Sequence, residues 1–176
     1  DGHTYAAEVA EKGAVALLVE EPVEVPESVT VIQVKDTRYA MALVSAAWYD
    51  YPAEKLKVIG ITGTKGKTTT TYMIKSILES AGHKVGLIGT VQNMIGDETL
   101  PAKNTTPDPY ELHSLFSLML SADCDYVVME VSSQGLMLNR TAGIPFEIGI
   151  FTNIEPDHIG PAEHKSFEDY MHCKGL

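Results

Sequence analysis

The eight residues Thr62-Gly63-Thr64-Lys65-Gly66-Lys67-Thr68-Thr69 limit what this chain can fold into more than any other feature of its sequence. An apolar run, Val58-Ile59-Gly60-Ile61, leads into them, and a long amphipathic stretch from Thr68 to Ser80 follows. Strand, glycine loop and helix in that order make a phosphate-binding loop. The glycines let backbone N–H groups approach phosphate oxygens, the helix N-terminus favours negative charge, Lys67 adds a cation, and the Thr68 hydroxyl can bind a metal ion. The common spacing has a glycine five positions before Gly66, where Ile61 stands here, so this loop, with Gly63 as its nearer glycine, is shorter.

The same alternation runs along the rest of the chain. Tyr5 to Lys12 has helical spacing, and Ala14 to Val19 and Val29 to Val34 read as buried strands. Between these strands, two prolines and four carboxylates in Glu20 to Glu27 favour a solvated connection. Thr37 is placed to cap a helix that runs to about Tyr49 and ends at Tyr51-Pro52. Past the loop, Gly82 stops its helix, Val85 to Ile88 forms a strand, and a polar region follows that contains Asn104-Thr105-Thr106-Pro107-Asp108. A helix is expected over Pro109 to Ser121, and Tyr126 to Val131 and Phe146 to Thr152 read as further buried strands. Strands alternating with helices predict an α/β chain with a mainly parallel sheet, whose ligands gather beyond the carboxyl ends of the strands. The polar groups after Ile61, Val131 and Phe151 are therefore expected to converge.

Charge narrows the partners. There are 24 Asp plus Glu against 13 Lys plus Arg, a net charge of −11, with no block of basic residues. Binding of nucleic acid through phosphate neutralisation is not expected, and an anionic ligand needs a locally built site. No apolar run approaches the ~18 residues of a membrane span. The two cysteines, Cys124 and Cys173, stand in no paired spacing, which indicates neither a disulfide framework nor a zinc site, assigns both to packing and fits a cytoplasmic protein. His3, His83, His113, His164 and His172 share no metal-binding spacing and read as structural or exposed.

Two further clusters follow strands. Glu130, Ser132 and Ser133 end one apolar run, and their carboxylate and hydroxyls suit a hard cation such as magnesium. Thr152-Asn153-Ile154-Glu155-Pro156-Asp157-His158 follows the next. In this order the loop, Glu130-Val131-Ser132-Ser133 and Phe151-Thr152-Asn153 with Asp157-His158 resemble the Mur ligase family, ATP-dependent enzymes that add amino acids to the nucleotide-linked peptidoglycan precursor. The branch that adds the third residue of the peptide is the one most resembled, over essentially the whole chain.

The resemblance implies two partial α/β units. Residues 1–52 would end an N-terminal domain that binds the uridine nucleotide, and 53–176 would begin the central P-loop ATP-binding domain, with a C-terminal amino-acid-binding domain outside this chain. It implies ATP and Mg2+ as cofactors, and UDP-MurNAc-dipeptide and a free amino acid, L-lysine or meso-diaminopimelate, as partners. Gly63, Thr64, Lys65, Gly66, Lys67, Thr68 and Thr69 would hold ATP. Asn104, Thr105, Thr106, Ser132 and Arg140 would hold the UDP-sugar-peptide, although Leu138 stands where many members have Gln. Lys67, Glu130, His158 and Lys174 would be catalytic, with Thr68, Glu130, His158 and a carbamylated Lys174 as metal ligands. Without the resemblance Lys174 reads as a solvated charge. The competing readings are another amide ligase of the superfamily, of folylpolyglutamate or cyanophycin type, and a nucleotide-binding module inactive in isolation.

Overall fold

The computed structural model describes residues 2–157, 159–160 and 164–176. After a 3-10 turn at Gly2–Tyr5, helix α1 (Ala6–Glu11) leads to strands β1 (Ala16–Val19) and β2 (Thr30–Gln33), which pair in parallel, and to helix α2 (Thr37–Trp48). The cap of α2 is Asp36 rather than Thr37. Asp36 has extended backbone, and its carboxylate accepts from Tyr39 N at 2.8 Å, while Thr37 is the first helical residue and donates to Glu20 Oε1 through both N and Oγ1. An ionised carboxylate is the stronger acceptor for an orphan helix N–H, which is why the acid takes the cap.

A second 3-10 turn, Pro52–Lys55, opens the larger unit. Its elements are β3 (Lys57–Thr62), α3 (Lys67–Ser80), β4 (Val85–Ile88), β5 (Gln92–Ile95), β6 (Glu98–Pro101), α4 (Pro109–Ser121), β7 (Tyr126–Glu130), α5 (Ser133–Met137), β8 (Phe146–Phe151) and α6 (Phe167–Lys174). Among the described residues the sheet has the order β6-β5-β4-β7-β3-β8. The four strands β4, β7, β3 and β8 are parallel, and β5 and β6 extend the sheet as an antiparallel hairpin. The polar region after β4 thus contains two short strands.

Alternation along β3 and β7 divides the core. Val58, Val127 and Met129 face α4, where Leu112, Phe116 and Met119 are fully buried. Ile59, Ile61 and Val128 face α3 and pack with Ile74 and Leu78. Each such side chain contributes roughly 1.5–3 kcal/mol when fully buried. Three strands expected to be buried are not: β2 is exposed along its length, so is most of β8, and in β1 only Val19 is buried. Among the described residues each has a strand neighbour on one side only, and an apolar run in the sequence does not reveal what covers it. The smaller unit meets the larger through α2 and α4, where Tyr49 and Tyr110 have ring centroids 5.4 Å apart, and through Asn139 Nδ2, which donates to Asp36 Oδ2 at 2.9 Å.

Candidate functional site

At the carboxyl end of β3 the chain turns through two glycines with positive φ, Gly63 at +145° and Gly66 at +83°. A Cβ on Gly63 would clash with Thr152 Oγ1, so the close approach of the loop to the end of β8 depends on this residue. The segment after β8 acts as the loop's scaffold. Thr64 N donates to Asn153 O and Lys65 N to Asn153 Oδ1, both at 3.0 Å, and Thr152 Oγ1 and Asn153 Nδ2 donate to Lys65 O at 2.8 and 3.1 Å. Gly66 precedes α3 and leaves its N-terminus open.

Lys67 Nζ donates to Gly63 O at 2.8 Å and Thr64 O at 3.2 Å. Burial lowers its pKa, and the charges of Glu130 and Asp157 oppose that effect. Lys174, on the last turn of α6, donates to the same Gly63 carbonyl at 2.9 Å and to Thr62 Oγ1 at 3.3 Å, and lies 4.9 Å from the centre of the Tyr170 ring. Far from being a solvated charge, it is 5% exposed. Burial, and then the neighbouring Lys67 charge, push its pKa down to about 8.

Glu130 ends β7 with 1% of its surface exposed. Thr68 Oγ1 and Thr90 N donate to its Oε1 at 2.9 and 3.0 Å, and Thr90 Oγ1 to its Oε2 at 3.0 Å. A buried carboxylate met by hydroxyl and amide donors, beside the Thr68 hydroxyl, is an all-oxygen set that fits Mg2+. Thr106 joins this corner to the next: its hydroxyl donates to Glu130 O at 3.1 Å and accepts from Ser132 N at 2.9 Å, while its carbonyl accepts from Arg140 Nη1 at 2.9 Å. Arg140 Nε lies 3.0 Å from Asp108 Oδ1, an ion pair outside hydrogen-bonding angle.

These groups face one cleft of about 360 Å³. Of the residues singled out from the sequence, Thr64, Gly66, Lys67, Thr68, Asn104, Thr105, Thr106, Glu130, Ser132, Arg140 and Lys174 line it. Gly63 lies beneath the loop, Lys65 turns outward to pair with Glu155 at 2.5 Å, and Thr69 is exposed on α3. His158 lies outside the described residues. Three further residues belong here. Thr90 follows the carboxyl end of β4, a position that the strand-end rule could have supplied. His164 is buried against the cleft with Nε2 2.8 Å from Ser133 Oγ, and the fully buried Tyr170 places its hydroxyl 2.9 Å from Thr64 Oγ1. Neither carries a signal in spacing.

A parallel sheet in which an inner strand runs through a glycine loop into a helix, with a buried acid on the adjacent strand, defines the phosphate-loop class of α/β proteins. The chain belongs to the Mur ligase family: the family model for the Mur ligase middle domain matches residues 61–176. It is 52% identical, over 99% of its length and 36% of the relative's, to the UDP-N-acetylmuramoyl-L-alanyl-D-glutamate–2,6-diaminopimelate ligase of Clostridium perfringens. A solved structure of a ligase of that name covers 98% of the chain and 34% of its own length at TM-score 0.81 and 26% identity. The folylpolyglutamate synthetase of Helicobacter pylori covers 81% of the chain and 40% of its own length at TM-score 0.57 and 19% identity, a likeness of fold alone. The chain thus spans about a third of the length of the diaminopimelate ligases it matches. Among the described residues no helix is long and apolar enough to cross a membrane.

Proposed function

We propose that this chain forms the nucleotide site and part of the acceptor site of a cytoplasmic ATP-dependent ligase that joins 2,6-diaminopimelate to UDP-N-acetylmuramoyl-L-alanyl-D-glutamate. The observation that carries the reading is one cleft lined together by the loop lysine Lys67, by Glu130 and Thr68, and by Arg140 with Thr105 and Thr106. The 52% identity to a muramoyl-dipeptide ligase favours that substrate over a folate. On this reading residues 1–52 close the uridine-nucleotide unit, and 53–176 begin the ATP-binding unit.

The chemistry demands that several phosphate charges be neutralised while a carboxylate oxygen is held in line with the γ-phosphorus. Loop amides and Lys67 cradle the phosphates, and Arg140, anchored on Thr106 and Asp108, presents a fixed cation to the anionic acceptor. The glutamyl carboxylate oxygen attacks the γ-phosphorus and ADP leaves. The amine of the incoming amino acid then attacks the acyl phosphate carbon, phosphate departs, and an amide remains. Mg2+ held by Thr68 and Glu130 would supply further neutralisation of the phosphate oxygens.

Lys174, with its pKa near 8, keeps a neutral fraction at working pH. The lone pair of that amine can add to CO2 and release a proton. The resulting carbamate replaces a cation facing Lys67 with an anion able to hold a second metal ion.

Calorimetry tests the assignment. Mg-ATP and the UDP-linked muramoyl dipeptide should both bind, Lys67→Ala removing the first and Arg140→Ala the second. In the full-length enzyme Lys67→Ala should lower ligation at least about a hundredfold with the fold intact. Ligation at near-normal rate would refute the role of Lys67, and preference for another amino acid would refute the choice of diaminopimelate.

A further inference from the structure

At the edge of the cleft, which His164 lines, three side chains that the ATP and acceptor assignments do not use approach one another. A ring nitrogen of His164, a carboxylate oxygen of Asp169 and Cys173 Sγ all lie within 4.8 Å of each other. Asp169 and Cys173 are four residues apart on α6 and so share a face, and His164 comes to them from the turn that precedes the helix. His164 and Cys173 are 1% and 4% exposed.

The surroundings of the two His164 ring nitrogens are the informative feature. Nε2 lies 2.8 Å from Ser133 Oγ, whereas the buried Nδ1 has no hydrogen-bond partner among the described residues and faces Asp169 Oδ2 at 3.5 Å. A metal ion at Nδ1 selects the tautomer whose proton is on Nε2 and donated to Ser133 Oγ. A hydrogen bond at the far nitrogen is also how metal-binding histidines are oriented. Asp169 is fixed in turn: its Oδ2 accepts from Lys165 N at 3.1 Å, and its own N–H donates to Ser166 Oγ at 3.2 Å.

We propose that His164, Asp169 and Cys173 form a binding site for a thiophilic divalent transition metal of the Zn2+ class, separate from the magnesium chemistry of the cleft. Imidazole, carboxylate and thiolate are the donors that zinc prefers and magnesium does not. Donors in a tetrahedral site lie roughly 3.3–3.6 Å apart, given zinc–ligand distances of about 2.0–2.3 Å. The histidine and carboxylate already meet that distance, and the sulfur needs to move by roughly 1 Å. On binding, the sulfur–metal bond forms as the thiol gives its proton to solvent, and water completes the fourth position. The metal ties the turn at His164 to α6, the helix that presents Lys174 and Tyr170 to the phosphate loop. Spacing alone does not reveal this site, because only Asp169 and Cys173 are near in sequence and neither belongs to a paired motif.

Co2+ serves as the probe, added to the metal-free chain in excess Mg2+ so that the oxygen site is saturated. The expected result is a thiolate-to-cobalt charge-transfer absorption that saturates at a single equivalent and is bleached by Zn2+. Cys173→Ser and Cys173→Ala should both abolish the band, with Cys124 still present in each. His164→Gln and Ser133→Ala should weaken binding about tenfold or more. Far-UV circular dichroism and urea unfolding without metal establish that each variant is folded, and the two cysteine variants guard against failure of either one. Absence of the band in the wild-type chain, its survival in a folded Cys173 variant, or its loss to Mg2+ would each overturn the proposal and leave His164 as a histidine paired with Asp169.

Discussion

His113 lies on α4 with 1% of its surface exposed, and neither ring nitrogen has a hydrogen-bond partner among the described residues. Its neighbour is the edge-on ring of Phe116, with centroids 5.8 Å apart. Burial lowers its pKa from the ordinary 6.5, so below that pH the unfolded chain binds a proton that the folded chain refuses. Stability therefore falls as pH drops through 6.5. His113→Leu should be more stable near pH 7 by on the order of 1 kcal/mol, because two unsatisfied polar atoms disappear. The gap from wild type should widen at lower pH, as urea unfolding at several pH values will show; an equal gap at every pH would sink the account. Gly63 gives a second expectation. Alanine there combines strain at φ +145° with a clash against Thr152, and should cost about 1–3 kcal/mol and the affinity for Mg-ATP together, measured by unfolding and calorimetry.

Helix α6 is only eight residues long, yet it carries Tyr170, Cys173 and Lys174. Its start is fixed by Ser166, whose hydroxyl accepts from Asp169 N. Ser166→Ala should cost about 1 kcal/mol. Amide exchange should speed up along α6 while β3 and β7 stay protected; uniform acceleration would mean that α6 is not a separate unit. This helix also shows where sequence reading stops. The strands and helices of the large sheet are legible because apolar residues repeat with period two or with helical spacing, as in β3, β4 and α4. Phe167 to Lys174 mixes acid, base and aromatic residues with no clean apolar stripe, so only its ends announce a helix, through the Ser166 cap, the acids Glu168 and Asp169 in the first turn and the bases His172 and Lys174 in the last. The β5–β6 hairpin is hidden for another reason: Gln92 to Ile95 and Glu98 to Pro101 are short and partly polar, and become strands by pairing on β4. At the site, the loop and Glu130 are legible from donor chemistry after a strand. Thr90 is open to the same rule, since it follows the carboxyl end of β4, whereas His164 and Tyr170 are not legible, each being recruited by a partner far away in the chain.

At the scale of the molecule, Asp36 does two things: it caps α2 and binds Asn139 across the seam between the two units. Asp36→Ala should therefore cost about 1–2 kcal/mol and loosen the seam. Amide exchange separates the units: in the wild-type chain α2 and the core strands β3 and β7 should open together as urea rises, whereas in the variant α2 should exchange at lower urea, and unchanged coincidence there would show that Asp36 does not couple the units. Strand order bears on synthesis as well. Strand β3 is made first in the large sheet, but its partners are β7, which begins at Tyr126, and β8, which begins at Phe146. On the ribosome, β3 and its loop therefore emerge long before either neighbouring strand exists, and Thr152 and Asn153, which hold the loop, come later still. Pairings so distant in sequence close slowly. The apolar β3 must wait uncovered through most of translation of this region, so the phosphate loop is among the first parts of the large unit to be made and among the last to take its working shape.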